Sequence, residues 1–244
     1  MGKIVAIGGG YYGDGEIKNI FEKIAELSGK TNPKAVFLPT ASFDNWSEDD
    51  GEILMLKAVG CDVTVLCLSD ITLSEEYIKS TILGADIIYA GGGHLAFLMD
   101  TFKKSKADVY LKEAFKKGIV LSGYSSGAMC WFERGYDDCA KDHSFIFVDC
   151  MGILPGCHCP HYENENWHKF SVRVSEQDLS ATACDNGAAL IYDEGKWSTM
   201  HGNDGGEVWF FDKTQNFKEF CLTDEENLSF FSKVINNYKK TASP

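Results

Sequence analysis

The feature that most restricts this chain is a series of short, mainly apolar, β-branched runs, most of them closed by glycine or proline and followed by a stretch with helical spacing. Lys3–Ile7 runs into Gly8-Gly9-Gly10, and residues 33–39 lie between two prolines. Residues 62–67 and 86–90 follow, the second ending in Gly91-Gly92-Gly93, and residues 118–122 make a fifth run. These runs are mainly apolar rather than alternating, so they read as strands buried on both faces. Between them, residues 15–27 place Ile17, Ile20, Phe21, Ile24 and Leu27 at helical spacing. Residues 51–59, 75–83 and 95–117 read as further helices, the last with a break. Strands alternating with helices predict an α/β fold with a parallel sheet covered by helices on both sides.

From about residue 150 the pattern changes. Glycines and aromatics become frequent, and residues 188–192, 197–200 and 207–211 form short β-like runs suited to hairpins added to the sheet. A final helix is expected over 225–238, with a frayed tail from Lys239 to Pro244. No repeat or linker interrupts the chain, so residues 1–244 are read as one domain. With 44% hydrophobic residues the chain can build a large core without disulfides or metal.

Charge and cysteine usage narrow the partners. A net charge of -13 opposes binding to phosphate backbones and anionic membranes. Nine scattered cysteines, an odd number, do not suit a secreted disulfide framework and point to a reducing cytoplasm. No signal peptide precedes the first strand, and no apolar run is long enough to span a bilayer.

The chemistry concentrates in Gly123-Tyr124-Ser125-Ser126-Gly127, a G-x-S-x-G sequence placed after a strand and before a helix start. That context projects Ser125 from the carboxyl edge of the sheet as a nucleophile. The Ser126 amide is set to face a developing oxyanion, and Gly91-Gly92-Gly93 is the candidate second donor loop. The bland alternative is a Gly/Ser-rich turn. Residues 8–13 form only a partial dinucleotide fingerprint and are discounted. Among six histidines, His161 stands out behind the stiffening Pro160. Cys157, His158, Cys159 and His161 have C-x-C rather than C-x₂-C spacing, so no metal site is expected. His143, His158 and His168 read as structural.

These residues together resemble peptidase family S51, the dipeptidase E-like peptidases, with cyanophycinase a more distant relative. The resemblance rests on Tyr89-Ala-Gly-Gly-Gly-His94, Gly123-Tyr-Ser-Ser-Gly-Ala128 with Cys130-Trp-Phe-Glu133, Gly152-Ile-Leu-Pro-Gly156, Cys159-Pro-His-Tyr162 and Asp185-Asn-Gly-Ala-Ala189. It implies a flavodoxin-like or class I glutamine amidotransferase-like three-layer sandwich. It also implies Ser125 as nucleophile, His161 as base, and Gly93 and Ser126 as oxyanion donors. Asp185 or Asp138 would complete the triad, Asp185 being preferred. Gly92 and His94 would lie at the substrate. Two residues depart from the family's usual pattern: His94 stands in place of asparagine, and Ser126 in place of alanine. The expected activity is hydrolysis of small peptides without cofactor, by a monomer or homodimer, with N-terminal aspartyl selectivity in question. Two rivals are an α/β-hydrolase esterase using His201, and a non-catalytic binding module on the same fold.

Overall fold

A computed structural model describes residues 2–10, 12, 16–203 and 205–241, with side chains to 237. Gly13 and Gly15, the end of the discounted glycine motif and the expected start of the first helix, lie outside the described residues. So do residues 242–244 of the expected frayed tail, whereas residues 239–241 continue the C-terminal helix.

The first sheet has seven strands. Five are parallel: β1 (Lys3–Ile7), β2 (Lys34–Leu38), β3 (Asp62–Val65), β4 (Ile87–Ala90) and β5 (Val120–Tyr124). Two antiparallel strands, β10 (Ala188–Asp193) and β11 (Lys196–His201), extend it as the expected hairpin. The order is β11-β10-β1-β5-β4-β2-β3. Side chains alternate between two apolar layers: Ile4, Ala6, Ile88 and Leu121 face one core, and Val5, Ile7, Ile87 and Val120 the other. Helices α1 (Lys18–Ser28) and α2 (Gly51–Ala58) cover the second layer. Helices α3 (Glu75–Leu83), α4 (Leu95–Lys104) and α5 (Ala107–Lys116) cover the first. The break between α4 and α5 falls at Lys106, whose φ is +61°. Each fully buried Ile, Leu or Phe side chain contributes roughly 1.5–3 kcal/mol, so this double layer is the main source of stability.

The structure adds a second, six-stranded sheet that the sequence pattern does not announce. It comprises β6 (Arg134–Asp137), β7 (Ile146–Asp149), β8 (Cys157–Cys159), β9 (Ala181–Cys184), β12 (Val208–Asp212) and β13 (Lys218–Cys221), in the order β13-β12-β9-β8-β6-β7. The run at 207–211 therefore joins this sheet and not the first. One face packs an aromatic cluster of Tyr136, Tyr162, Phe170 and Phe211. Phe210 and Val208 face the main core, where Phe231 of the C-terminal helix α9 (Glu225–Thr241) also packs.

Candidate active site

The site forms where the two sheets meet. Strand β5 delivers Ser125, whose amide donates to Ile7 O at 3.1 Å and continues the β1–β5 ladder. The chain then turns at once into α6 (Ser126–Met129), and Ser125 takes φ +54°, ψ −118°. A serine held there is strained by its own Cβ, and only surrounding packing sustains such a conformation. Gly127 supplies that packing. A Cβ at position 127 would stand 1.9 Å from Ala90 O, so glycine lets the turn sit directly on β4. The motif's second glycine is thus a contact requirement.

The expected donor loop lies beside it. Gly92 approaches so closely that a Cβ there would be 3.3 Å from Ser125 Cβ. The amides of Gly93 and Ser126 find no hydrogen-bond partner among the described residues. The Ser126 hydroxyl donates to Gly93 O at 2.6 Å, tying the two loops together. Alanine at that position could not make this tether. His94 is the N-cap of α4, its Nδ1 accepting from Phe97 N at 3.2 Å. Histidine can therefore do the capping work of asparagine, by accepting from an orphan helix amide.

The second sheet delivers His161. His161 follows β8 and Pro160, and its amide donates to Gly8 O at 3.1 Å. Its Nε2 lies 2.9 Å from Ser125 Oγ, and its Nδ1 lies 2.7 Å from Asn186 Oδ1. The ring packs between Tyr124 and Trp167, with centroids at 5.9 and 5.1 Å. Burial pushes the His161 pKa below its ordinary value, opposed by the Asn186 hydrogen bond and by the charges of Glu163 and Asp138. A partly buried imidazole sheds its proton more easily than a solvated one, so this environment favours the neutral, proton-accepting form of His161.

Neither acid expected in the third position touches His161 Nδ1. Asp185 Oδ2 accepts from Glu207 N at 3.0 Å and Trp209 Nε1 at 3.4 Å, which fixes the link between β9 and β12. Burial raises its pKa. Asp138 is exposed and lines a cavity. The residue present is Asn186, one position past Asp185. Its backbone amide donates to Glu163 Oε2 at 2.9 Å, and its Nδ2 donates to Glu163 Oε1. The glycines after β1 make room for the pair: a Cβ on Gly9 would fall 1.8 Å from Asn186 Oδ1 and 2.4 Å from His161 Nδ1. Asn186 and Glu163 escape the sequence reading because Asn186-Gly187 has the form of a turn and nothing near Glu163 in the chain marks it as part of a site. The usable signal was position, since Asn186 closely follows the carboxyl end of a strand, as Ser125 and His161 do.

His158 and His201 are held elsewhere, and His143 lines a cavity beside Trp167. His158 is fully buried, stacked on Phe132 and bonded to Thr182 Oγ1 at 2.9 Å, and burial drives its pKa to about 3. His201, the base an esterase reading requires, has Nδ1 3.1 Å from Gly206 O on the edge strand β11. Cys157 and Cys159 join the aromatic cluster while His158 faces Phe132 on the opposite side, as alternation along a strand dictates. Among the described residues no three His, Cys, Asp or Glu side chains converge on a metal position.

A cavity of about 570 Å³ adjoins His161, lined by Tyr136, Asp138, Phe145, Trp167, Lys169 and Arg173 among others. Trp167 is the shared wall between it and His161. A hollow of about 800 Å³ between β11 and α9 contains none of the residues that meet Ser125.

A strained serine at a strand-to-helix turn, paired with a histidine beside two open amides, is an arrangement suited to serine hydrolase chemistry. Comparison with known proteins gives the family. The sequence model of Peptidase family S51 matches residues 4–200, and the chain belongs to that family. It is 31% identical over 214 residues to the uncharacterized peptidase YgaJ of Bacillus subtilis, covering 86% of this chain and 91% of that one. It is 27% identical over 162 residues to the uncharacterized peptidase Lin0382 of Listeria innocua, covering 62% and 73%. Two solved structures share the fold. A peptidase from an acI-B1 Actinobacterium superposes with a TM-score of 0.67 at 17% identity, covering 90% of this chain and 94% of that one. A putative peptidase E protein from Listeria monocytogenes superposes with a TM-score of 0.63 at 21% identity, covering 82% and 98%. The chain is accordingly a serine peptidase of family S51, with the α/β sandwich that its strand pattern predicts. No helix among the described residues is long and apolar enough to cross a membrane.

Proposed function

We propose that this peptidase cleaves short peptides by acyl transfer through Ser125. His161 Nε2 takes the Ser125 proton as Oγ attacks the scissile carbonyl, and the amides of Gly93 and Ser126 receive the oxyanion. The imidazolium then protonates the leaving amine, and water activated by the same nitrogen releases the acid. Asn186 holds the imidazole at Nδ1 as a positioning residue. Asp185 keeps its part in the β9–β12 link, and Asp138 its place in the cavity wall. The observation that carries this reading is the 2.9 Å contact between His161 Nε2 and Ser125 Oγ at a strained turn. The proposal takes residues 1–244 as one unit, because the nucleophile and the base come from different sheets.

The cavity beside Trp167 is the peptide's place in this reading. Its volume suits a small ligand, and its walls carry Asp138 and Lys169, opposite charges for a zwitterion. Arg173 is engaged by Glu176 and Phe145 O, and Arg134 by Asp149 and Gln177. With both guanidinium groups occupied, N-terminal aspartyl selectivity is left out of the proposal. Nine free thiols support a reducing compartment, and the charge of -13 supports a partner other than nucleic acid.

A dipeptide library that includes Asp-Leu-type and β-aspartyl substrates tests the proposal. The chain should hydrolyse some members, and Ser125→Ala should fold normally and lose about a thousandfold or more. Retained hydrolysis in Ser125→Ala overturns it.

A further inference from the structure

The third residue of this site is an amide, and an amide is ambiguous where a carboxylate is not. Asn186 carries an acceptor, Oδ1, and a donor, Nδ2, on the same planar group. With Oδ1 facing His161, Nδ1 keeps its proton and Nε2 is free to accept from Ser125. With the amide turned over, Nδ2 would demand an acceptor at Nδ1. The ring proton would move to Nε2, and His161 could no longer take the serine proton. Forcing that wrong tautomer in a serine protease lowers turnover by about 10⁴-fold.

Glu163 removes the ambiguity. An ionised carboxylate only accepts hydrogen bonds, and this one receives the Asn186 backbone N–H at 2.9 Å and the side-chain Nδ2–H. Turning the amide over would set Oδ1 against the carboxylate, two acceptors in contact. Glu163 also lies two residues after the base in the chain, in a turn closed by the Asn164 amide donating to His161 O at 2.9 Å. Base and guide are therefore built on one loop.

We propose that Glu163, acting through Asn186, is the positioning residue that selects the working tautomer of His161 and supplies the negative charge that a neutral third residue lacks. The inference rests on the Ser125–His161 reading above. The charge part has structural support. His161 faces Ser125 and Tyr124 from β5, Asn186 from the turn after β9 and Trp167 from α7 (Glu165–His168), with Glu163 and Asp138 as the nearby anions. Both anions favour the imidazolium against its burial.

The test is the second-order rate at which a fluorophosphonate labels Ser125 in the full chain, measured across pH for the unmodified protein, Glu163→Gln, Asn186→Asp and the double variant. Thermal unfolding checks that each is folded. Glu163→Gln should lower the plateau by about 10- to 100-fold, less than the wrong-tautomer loss because Glu163 acts at one remove. Its acid limb should move to lower pH, since removing an anion lowers the proton affinity of His161. Asn186→Asp alone should also be slow, with two carboxylates opposed. The double variant should recover to within about 10-fold of the unmodified chain. In it the amide introduced at position 163 would donate to the carboxylate introduced at position 186, and that carboxylate would accept from His161 Nδ1. A plateau and limb unchanged in Glu163→Gln overturn the inference, and so does a lower plateau with an unmoved limb and no recovery in the double variant. Failure of the unmodified chain to label at Ser125 overturns the site reading itself.

Discussion

The β5 side of the site and the β8–β9 side hold their residues by different means. Ser125 is fixed from below by backbone packing: Gly127 rests on Ala90, the Ser125 amide continues the parallel ladder, and the segment is almost wholly buried. His161 is fixed from the side by hydrogen bonds that reach solvent, through Asn186 and Glu163, both exposed. Close packing has few alternatives and tolerates little added volume. Exposed hydrogen bonds contribute little to folding, yet they decide where a proton sits. Ser125 is thus part of the core's architecture, and His161 is oriented by a network that folding hardly needs.

Three substitutions probe that contrast. Gly127→Ala should have the largest effect, because its Cβ meets Ala90 O at 1.9 Å. It should lower stability by about 2–4 kcal/mol and abolish labelling of Ser125, read from the urea midpoint and an active-site probe on the same sample. Asn186→Ala should leave the urea midpoint within about 1 kcal/mol while cutting hydrolysis about 10²-fold or more. Equal damage to stability and activity in both variants would erase the distinction.

Asp137 sits on the boundary. From β6 of the second sheet its carboxylate accepts from Leu95 N, the first amide of α4 in the first layer, at 2.9 Å. Burial raises its pKa to about 6. A carboxyl group with a raised folded pKa favours folding fully below its unfolded value near 4, and that contribution is lost as pH rises through about 6. Asp137→Asn keeps an acceptor for Leu95 and removes the titration. It should stabilise the protein at pH 8 by about 1–3 kcal/mol and change it little at pH 4, measured by urea unfolding at the two pH values. No difference between the two would mean that the joint between the sheets is not strained by this charge.

Legibility in the sequence follows the same division. Most of the parallel strands are largely apolar runs beside glycine or proline signals, and Lys3–Ile7 and the helix Glu75–Leu83 are found with the bounds the structure gives them. The edge strand Asp62–Val65 proves half exposed rather than buried on both faces. The second sheet is built from pieces such as Cys157–Cys159 and Ala181–Cys184, three and four residues long. Such pieces carry no periodicity, and their pairing depends on partners distant in the chain. Ser125 and the Gly93 loop were legible because their constraints are local. Asn186 was not, because a residue before glycine reads as a turn, and Asp185 beside it is the chemically more obvious acid. Only the fold shows that Asp185 Oδ2 is taken by Glu207 and Trp209.

Everything proposed for this site depends on Ser125 being a nucleophile made reactive by His161. The direct measurement is to treat the native chain with a fluorophosphonate and locate the adduct by peptide mass spectrometry, alongside His161→Ala. A single adduct on Ser125, formed at least about a hundredfold more slowly in His161→Ala, is the predicted result. An adduct on another residue, or equal labelling in the two proteins, would contradict it.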